Sequence, residues 1–95
     1  MRPRGHARVP DHVQTRTFDG DLVILDLAGG EYFALDAVGA HMWQGLAAGH
    51  EARDVAADVA KRYEVEVDRA LDDLLALVAE LTARGLLVVE DPGPP

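Results

Sequence analysis

Two periodicities divide the chain. Up to residue 35, apolar and polar positions change over short distances, as in strands; from residue 36 apolar residues recur every three or four positions, as in helices. His12-Val13-Gln14-Thr15-Arg16-Thr17-Phe18 is β-branched and partly alternating. Asp19-Gly20 follows, a strong hairpin signal because glycine tolerates positive φ. Asp21–Leu27 comes next, and its run Leu22–Leu25 is apolar on both faces, which suits a central strand. Gly29-Gly30 allows a second tight turn before Glu31-Tyr32-Phe33-Ala34-Leu35. The simplest assembly is a three-stranded antiparallel meander whose first and third strands are its edges.

Asp36 is a good N-cap for a helix over residues 37–46, where Val38, Met42, Trp43 and Leu46 share one face, and Gly49 reads as its stop. A second helix is predicted from about Arg53 to Tyr63 on Val55, Val59 and Tyr63, widened by Ala56 and Ala60. Asp68 is the expected cap of a third, longest helix running to about Arg84, with Gly85 as its stop and Leu86-Leu87-Val88-Val89 as a short strand. The fold class is therefore α+β: a three-stranded antiparallel β-meander followed by a winged helix–turn–helix, three helices plus a short C-terminal strand. Residues 1–11 read as a flexible basic N-terminal tail, 12–90 as one domain, and 91–95, Asp-Pro-Gly-Pro-Pro, as a disordered C-terminal tail.

At 95 residues and 48% apolar, the chain supports one compact core and argues against disorder. It has no cysteine, which excludes disulfide scaffolds, thiolate nucleophiles and cysteine-bound metals and fits a reducing cytoplasm, the expected location. No apolar run approaches a membrane span, and the N-terminus lacks the apolar stretch of a signal peptide. Charge is uneven. Residues 1–17 hold four arginines against one aspartate; the rest holds 5 basic and 16 acidic residues, for a net −8. An acidic body repels phosphate backbones and attracts basic partners.

The third helix is the most informative element. With Val67 at zero, Leu71, Leu74, Leu75, Val78 and Leu81 lie between about −40° and +80°, and Leu77 extends the stripe to about −80°. That arc, roughly 160°, exceeds the ~100° a core-facing helix needs, so one edge is available to a partner. From Glu64 to Glu80 there are 6 acids and 1 base, the wrong sign for a recognition helix in DNA. The third strand is the second informative element. Tyr32-Phe33-Ala34-Leu35 lies at a sheet edge without the charge or proline that usually blunts one, and such an edge suits strand addition by an extended peptide. Catalytic signatures are missing. His6, His12, His41 and His50 show no metal spacing, serine is absent, and no threonine has an evident base beside it. The expectation is a non-enzyme without cofactor or metal.

The segment Gly30-Glu31-Tyr32-Phe33-Ala34-Leu35-Asp36-Ala37-Val38-Gly39-Ala40-His41-Met42-Trp43 resembles the pattern Gly-x-Tyr-aromatic-x-Leu-(Asn/Asp)-x-x-Gly-x-x-aliphatic-Trp of the pyrroloquinoline quinone biosynthesis protein D (PqqD) family. That family includes the recognition elements for ribosomally made, modified peptides (RiPPs), the RREs. The resemblance runs from about Val13 to Val89. It implies a non-catalytic peptide chaperone that holds a precursor's leader as an added strand between the third strand and the third helix. It also implies delivery of that leader to a modifying enzyme. Carried over by position, the strand wall is Glu31, Tyr32, Phe33, Ala34 and Leu35, and the helix wall is Asp73, Leu74, Leu77 and Leu81, with Asp73 available to a basic leader residue. Leu75 with Asp72 is the rival set on the other stripe edge. Trp43, Val38 and Gly39 match the motif as core and close packing. A freestanding chain of this size most resembles the leader-binding proteins of lasso-peptide pathways, which work with a cysteine-protease-like leader peptidase. A radical SAM partner in quinone-cofactor synthesis, a general adaptor that dimerises weakly, and a winged-helix regulator are the alternatives.

Overall fold

The computed structural model describes residues 6–90. The elements run β1 (His6–Arg8), β2 (Val13–Phe18), β3 (Asp21–Asp26), β4 (Glu31–Leu35), α1 (Ala37–Ala47), α2 (Ala52–Tyr63), α3 (Val67–Ala83) and β5 (Val88–Glu90). β2, β3 and β4 form the expected antiparallel meander with β3 in the centre. Asp19 and Gly20 both take positive φ, 49° and 88°, as a two-residue primed turn requires. That turn sets Phe18 opposite Asp21 and every later pair with it.

One face of the sheet is core. Val13, Leu22, Ile24 and Leu35 are buried on it, and Ile24 has no exposed surface. The other face carries Phe18, Val23, Leu25, Tyr32 and Ala34, with Phe18 61% and Tyr32 71% exposed. The helices close the core from the first face. Asp36 caps α1, its Oδ1 accepting the Gly39 N–H at 2.9 Å, and Ala40, Met42, Trp43 and Leu46 point inward. Gly39 needs its small size, since a Cβ there would stand 3.2 Å from the Leu35 side chain. The Gly–Trp part of the motif thus seats α1 against the end of β4. Val55 and Val59 of α2 and Ala70, Leu74, Val78 and Leu81 of α3 complete the interior.

Several boundaries differ from expectation. α3 begins at Val67, one residue before the expected Asp68 cap; Glu66 is the cap residue, and its carbonyl accepts the Ala70 N–H at 2.9 Å without help from a side chain. Residues 6–8, expected within the tail, form β1, paired antiparallel with β5 so that Ala7 faces Val89 and is buried. The backbone of β5 would otherwise end unpaired beside the core, and a short strand from the other terminus satisfies it. Leu86 and Leu87, expected in the final strand, precede it and are buried. The expected tail residues 1–5 and 91–95 lie outside the described residues. No described helix is long and apolar enough to cross a membrane.

Candidate peptide-binding site

The sheet order leaves one side of β4 unpaired among the described residues. Which backbone groups face that side follows from the register. Phe18 and Asp21 close a two-residue hairpin and exchange both backbone bonds. The same phase recurs at the far end, where the Leu27 N–H donates to the His12 carbonyl at 2.8 Å. Asp21, Val23 and Leu25 therefore bond to β2, and Leu22, Ile24 and Asp26 bond to β4. On β4 the residues bonded inward are Glu31, Phe33 and Leu35. Tyr32 and Ala34 turn their N–H and C=O groups off the open edge.

The C-terminal end of α3 comes up to β4. Around the helix axis Leu74 marks the centre of the apolar stripe and is fully buried. Leu77, Arg84, Asp73, Glu80 and Arg69 lie in that order on one flank; Leu71, Thr82 and Leu75 lie on the other. The first flank reaches β4 through Arg84, whose guanidinium carbon sits 4.9 Å from the Phe33 ring centre. The Leu75 flank instead faces the C-terminal strand, where Leu75, Val78, Thr82 and Val88 border an apolar cleft. The rival set is thereby separated from the open strand, and Asp72 points to solvent behind it.

Two pockets adjoin α3. Near its C-terminal end Asp26, Glu31, Tyr32, Phe33 and Arg84 enclose only about 10 Å³ beside the β4 edge. Near its N-terminal end Val38 and Met42 of α1, Tyr63 of α2, and Arg69 and Asp73 of α3 border about 360 Å³. Leu77, between these ends of the helix in sequence, is half-buried. Asp26 and Glu31 border the first pocket with Arg84, whose ion-pair partner is Glu80, and Asp73 borders the second with Arg69, an acidic excess that suits a peptide with basic residues.

The residues singled out from the sequence take different places. Phe33 and Leu77 are half-buried, and Glu31 and Asp73 are exposed; Phe33 and Glu31 border the small pocket under Arg84, Asp73 borders the larger one, and Leu77 packs against the core. Tyr32 and Ala34 offer backbone to the edge, while their side chains lie on the outer face of the sheet. Leu35 is 6% exposed, and Leu74 and Leu81 have no exposed surface. These three lie in the core. Arg84 at the small pocket, and Arg69 and Tyr63 at the larger one, were not singled out. Arg84 lies seven residues after Leu77, on the same helical flank, and that spacing is the signal that could have found it.

The histidines do other work. His12 Nε2 is 3.1 Å from the Gly85 carbonyl oxygen, joining the sheet to the end of α3. His41 on α1 bonds the Asp58 carboxylate on α2 and meets the Tyr63 ring edge-on. That hydrogen bond holds the Asp58 carboxyl below the usual aspartate range, against a smaller opposing desolvation. No group of three or more metal-ligating side chains occurs among the described residues.

A strand edge unpaired among the described residues, on a winged-helix frame, is a geometry that suits strand addition by an extended peptide. The PqqD model, coenzyme PQQ synthesis protein D, matches residues 21–87, and the chain belongs to that family. Among solved structures it is similar to TbiB1 in complex with the TbiA(beta) leader peptide, at 30% identity over 84% of this chain and 93% of that one, TM-score 0.78. It is also similar to a lasso peptide synthetase B1 complexed with the leader peptide, at 34% identity over 87% and 98%, TM-score 0.82. No curated protein sequence matches it.

Proposed function

We propose that this protein is a non-catalytic chaperone for the leader of a ribosomally made precursor, of the lasso-peptide type. The leader adds as a strand to β4 and sets alternate side chains against Leu77 and Phe33. The observation that carries this reading is the edge of β4, unpaired among the described residues, toward which the register turns the backbone groups of Tyr32 and Ala34. The two solved relatives, both leader-peptide complexes similar over more than four-fifths of this chain, support the same ligand class. The helix contacts we assign are Leu77, with Asp73 pairing a basic leader residue; Leu74 and Leu81 hold the wall in place.

An added strand also sets every second side chain on the outer face of the sheet, beside Tyr32 and Ala34. The receiving enzyme, a cysteine-protease-type leader peptidase or another modifying enzyme, can then read the loaded leader from the side opposite the helices. The family description favours one second reading, a chaperone for a radical SAM enzyme in quinone-cofactor synthesis. The acidic α3 speaks against a DNA-binding regulator.

Titration of labelled leader peptides followed by anisotropy at two salt concentrations tests the assignment. A lasso-type leader, a quinone-cofactor precursor and a scrambled control make up the set. Saturable binding of the lasso leader alone is the expected result. Binding of the quinone-cofactor precursor alone would move the protein to the second reading, and equal binding of the scrambled peptide would defeat both.

A further inference from the structure

Beside the β4 edge that is unpaired among the described residues, one side chain covers the Phe33 ring. Arg84 follows the last turn of α3. Its guanidinium stands over the Phe33 ring, and its Nε and Nη2 both donate to Glu80 Oε1, at 3.3 and 3.2 Å. With Arg84 in this position the space over Phe33 is about 10 Å³. Ten cubic ångströms is about the room one water needs, and no amino-acid side chain fits it. A strand added to β4 nonetheless directs alternate side chains to the helix side of the sheet, over Phe33.

We propose that Arg84 is a gate on the peptide site, latched over Phe33 by Glu80 in the free protein and displaced when an apolar peptide side chain takes its place on the ring. The proposal rests on the peptide-binding reading above and adds a residue that sets which peptides enter. In the closed state the cation shields an aromatic surface that would otherwise attract any apolar chain end. Both latch contacts are weak enough to open. The side chains of Arg84 and Glu80 are 46% and 51% exposed, so water competes for the ion pair and the cation–π contact alike. A peptide lacking an apolar residue at this position gains nothing on Phe33 to offset the lost contacts, and the gate rejects it.

The test uses the full chain with two probes, the TbiA(beta) leader peptide and a display library of random peptides. Removing the gate with Arg84→Gln should tighten binding of the peptides that bind wild type by roughly four- to tenfold, the combined worth of one exposed cation–π contact and one exposed i,i+4 ion pair. Glu80→Gln, which frees the latch and leaves the ring contact, should tighten it by about twofold. The double variant should bind no tighter than Arg84→Gln. A second readout needs no variant. In wild type the Arg84 Nε–H proton resonance should carry the ring-current shift of Phe33 and lose it at peptide saturation.

Equal or weaker binding by Arg84→Gln, or an Arg84 resonance unmoved at saturation, overturns the gate and leaves the peptide-binding reading standing. If no probe binds wild type or either variant while circular dichroism shows them folded, the reading itself falls, and the gate with it. Should Arg84→Gln unfold, the wild-type resonance decides.

Discussion

Ala34→Pro separates the open edge of β4 from its paired edge. Proline removes one N–H and places a ring carbon where that hydrogen was. At Ala34 the lost N–H faces off the sheet, so the meander keeps every bond to β3. The fixed φ of proline strains a strand slightly, while the stiffer unfolded chain gains about 0.4–1 kcal/mol in the other direction. Stability should therefore change by less than about 1 kcal/mol, a melting shift within about 8 °C for a domain of this size. Peptide binding loses more. The missing backbone bond is worth about 0.5–1.5 kcal/mol, and the ring holds the incoming strand away from its neighbouring bonds as well. The loss should be at least tenfold in Kd, about 1.4 kcal/mol. Phe33→Pro is the matched control. One residue away, it removes an N–H bonded to β3 and should unfold the sheet edge. The assay pairs thermal melts with anisotropy titration of a bound leader. A folded Ala34→Pro protein that binds leader like wild type would refute the strand-addition geometry, as would a folded Phe33→Pro protein, because the register phase would then be inverted.

Leu77→Asp and Phe33→Asp should each weaken leader binding at least tenfold while circular dichroism stays native; if either unfolds the domain, that residue was core and the site is misplaced. Leu81→Ala, at a position with no exposed surface, should instead cost about 2–5 kcal/mol of stability by urea denaturation, and a cost under about 1 kcal/mol would mean α3 is not anchored there. Gly45→Ala sets a Cβ 2.9 Å from Val55 Cγ2 where α1 crosses α2, and should destabilise by about 1–3 kcal/mol; an unchanged melting temperature would show that the helices can part freely. The Asp58 carboxyl is held low by His41, so the stability it adds is present above the unfolded aspartate pKa and lost as pH falls through the lowered folded value. Carbon-13 titration should show the Asp58 midpoint rising in His41→Ala, and an unmoved midpoint would remove the contact.

Much of this architecture is legible in the sequence because local chemistry decides it. Asp19-Gly20 dictates a primed turn, Asp36 has a free oxygen for the first turn of α1, and Gly85 takes the positive φ, 74°, that ends α3. The over-wide stripe of α3 is legible as well, since seventeen helical residues make the arc unambiguous. What the pattern leaves open depends on distant chain. β1 is three residues long and pairs with a strand near the other terminus, so no local signal marks it. Leu74, Leu77 and Leu81 are alike in sequence, yet two are sealed in the core and one is only half-buried. That outcome depends on where the sheet crosses the helix. Arg84 reads from sequence as a helix-end cation; only the approach of β4 sets Phe33 beneath it.

Backbone hydrogen exchange on the free and leader-loaded protein tests the central claim most directly. Without peptide, the Phe33 and Leu35 amides should already be protected by β3, and those of Tyr32 and Ala34 should exchange fast. Addition of a leader that binds should slow Tyr32 and Ala34 and leave β2 unchanged. A saturated complex in which Tyr32 and Ala34 still exchange at the free rate would contradict strand addition to β4.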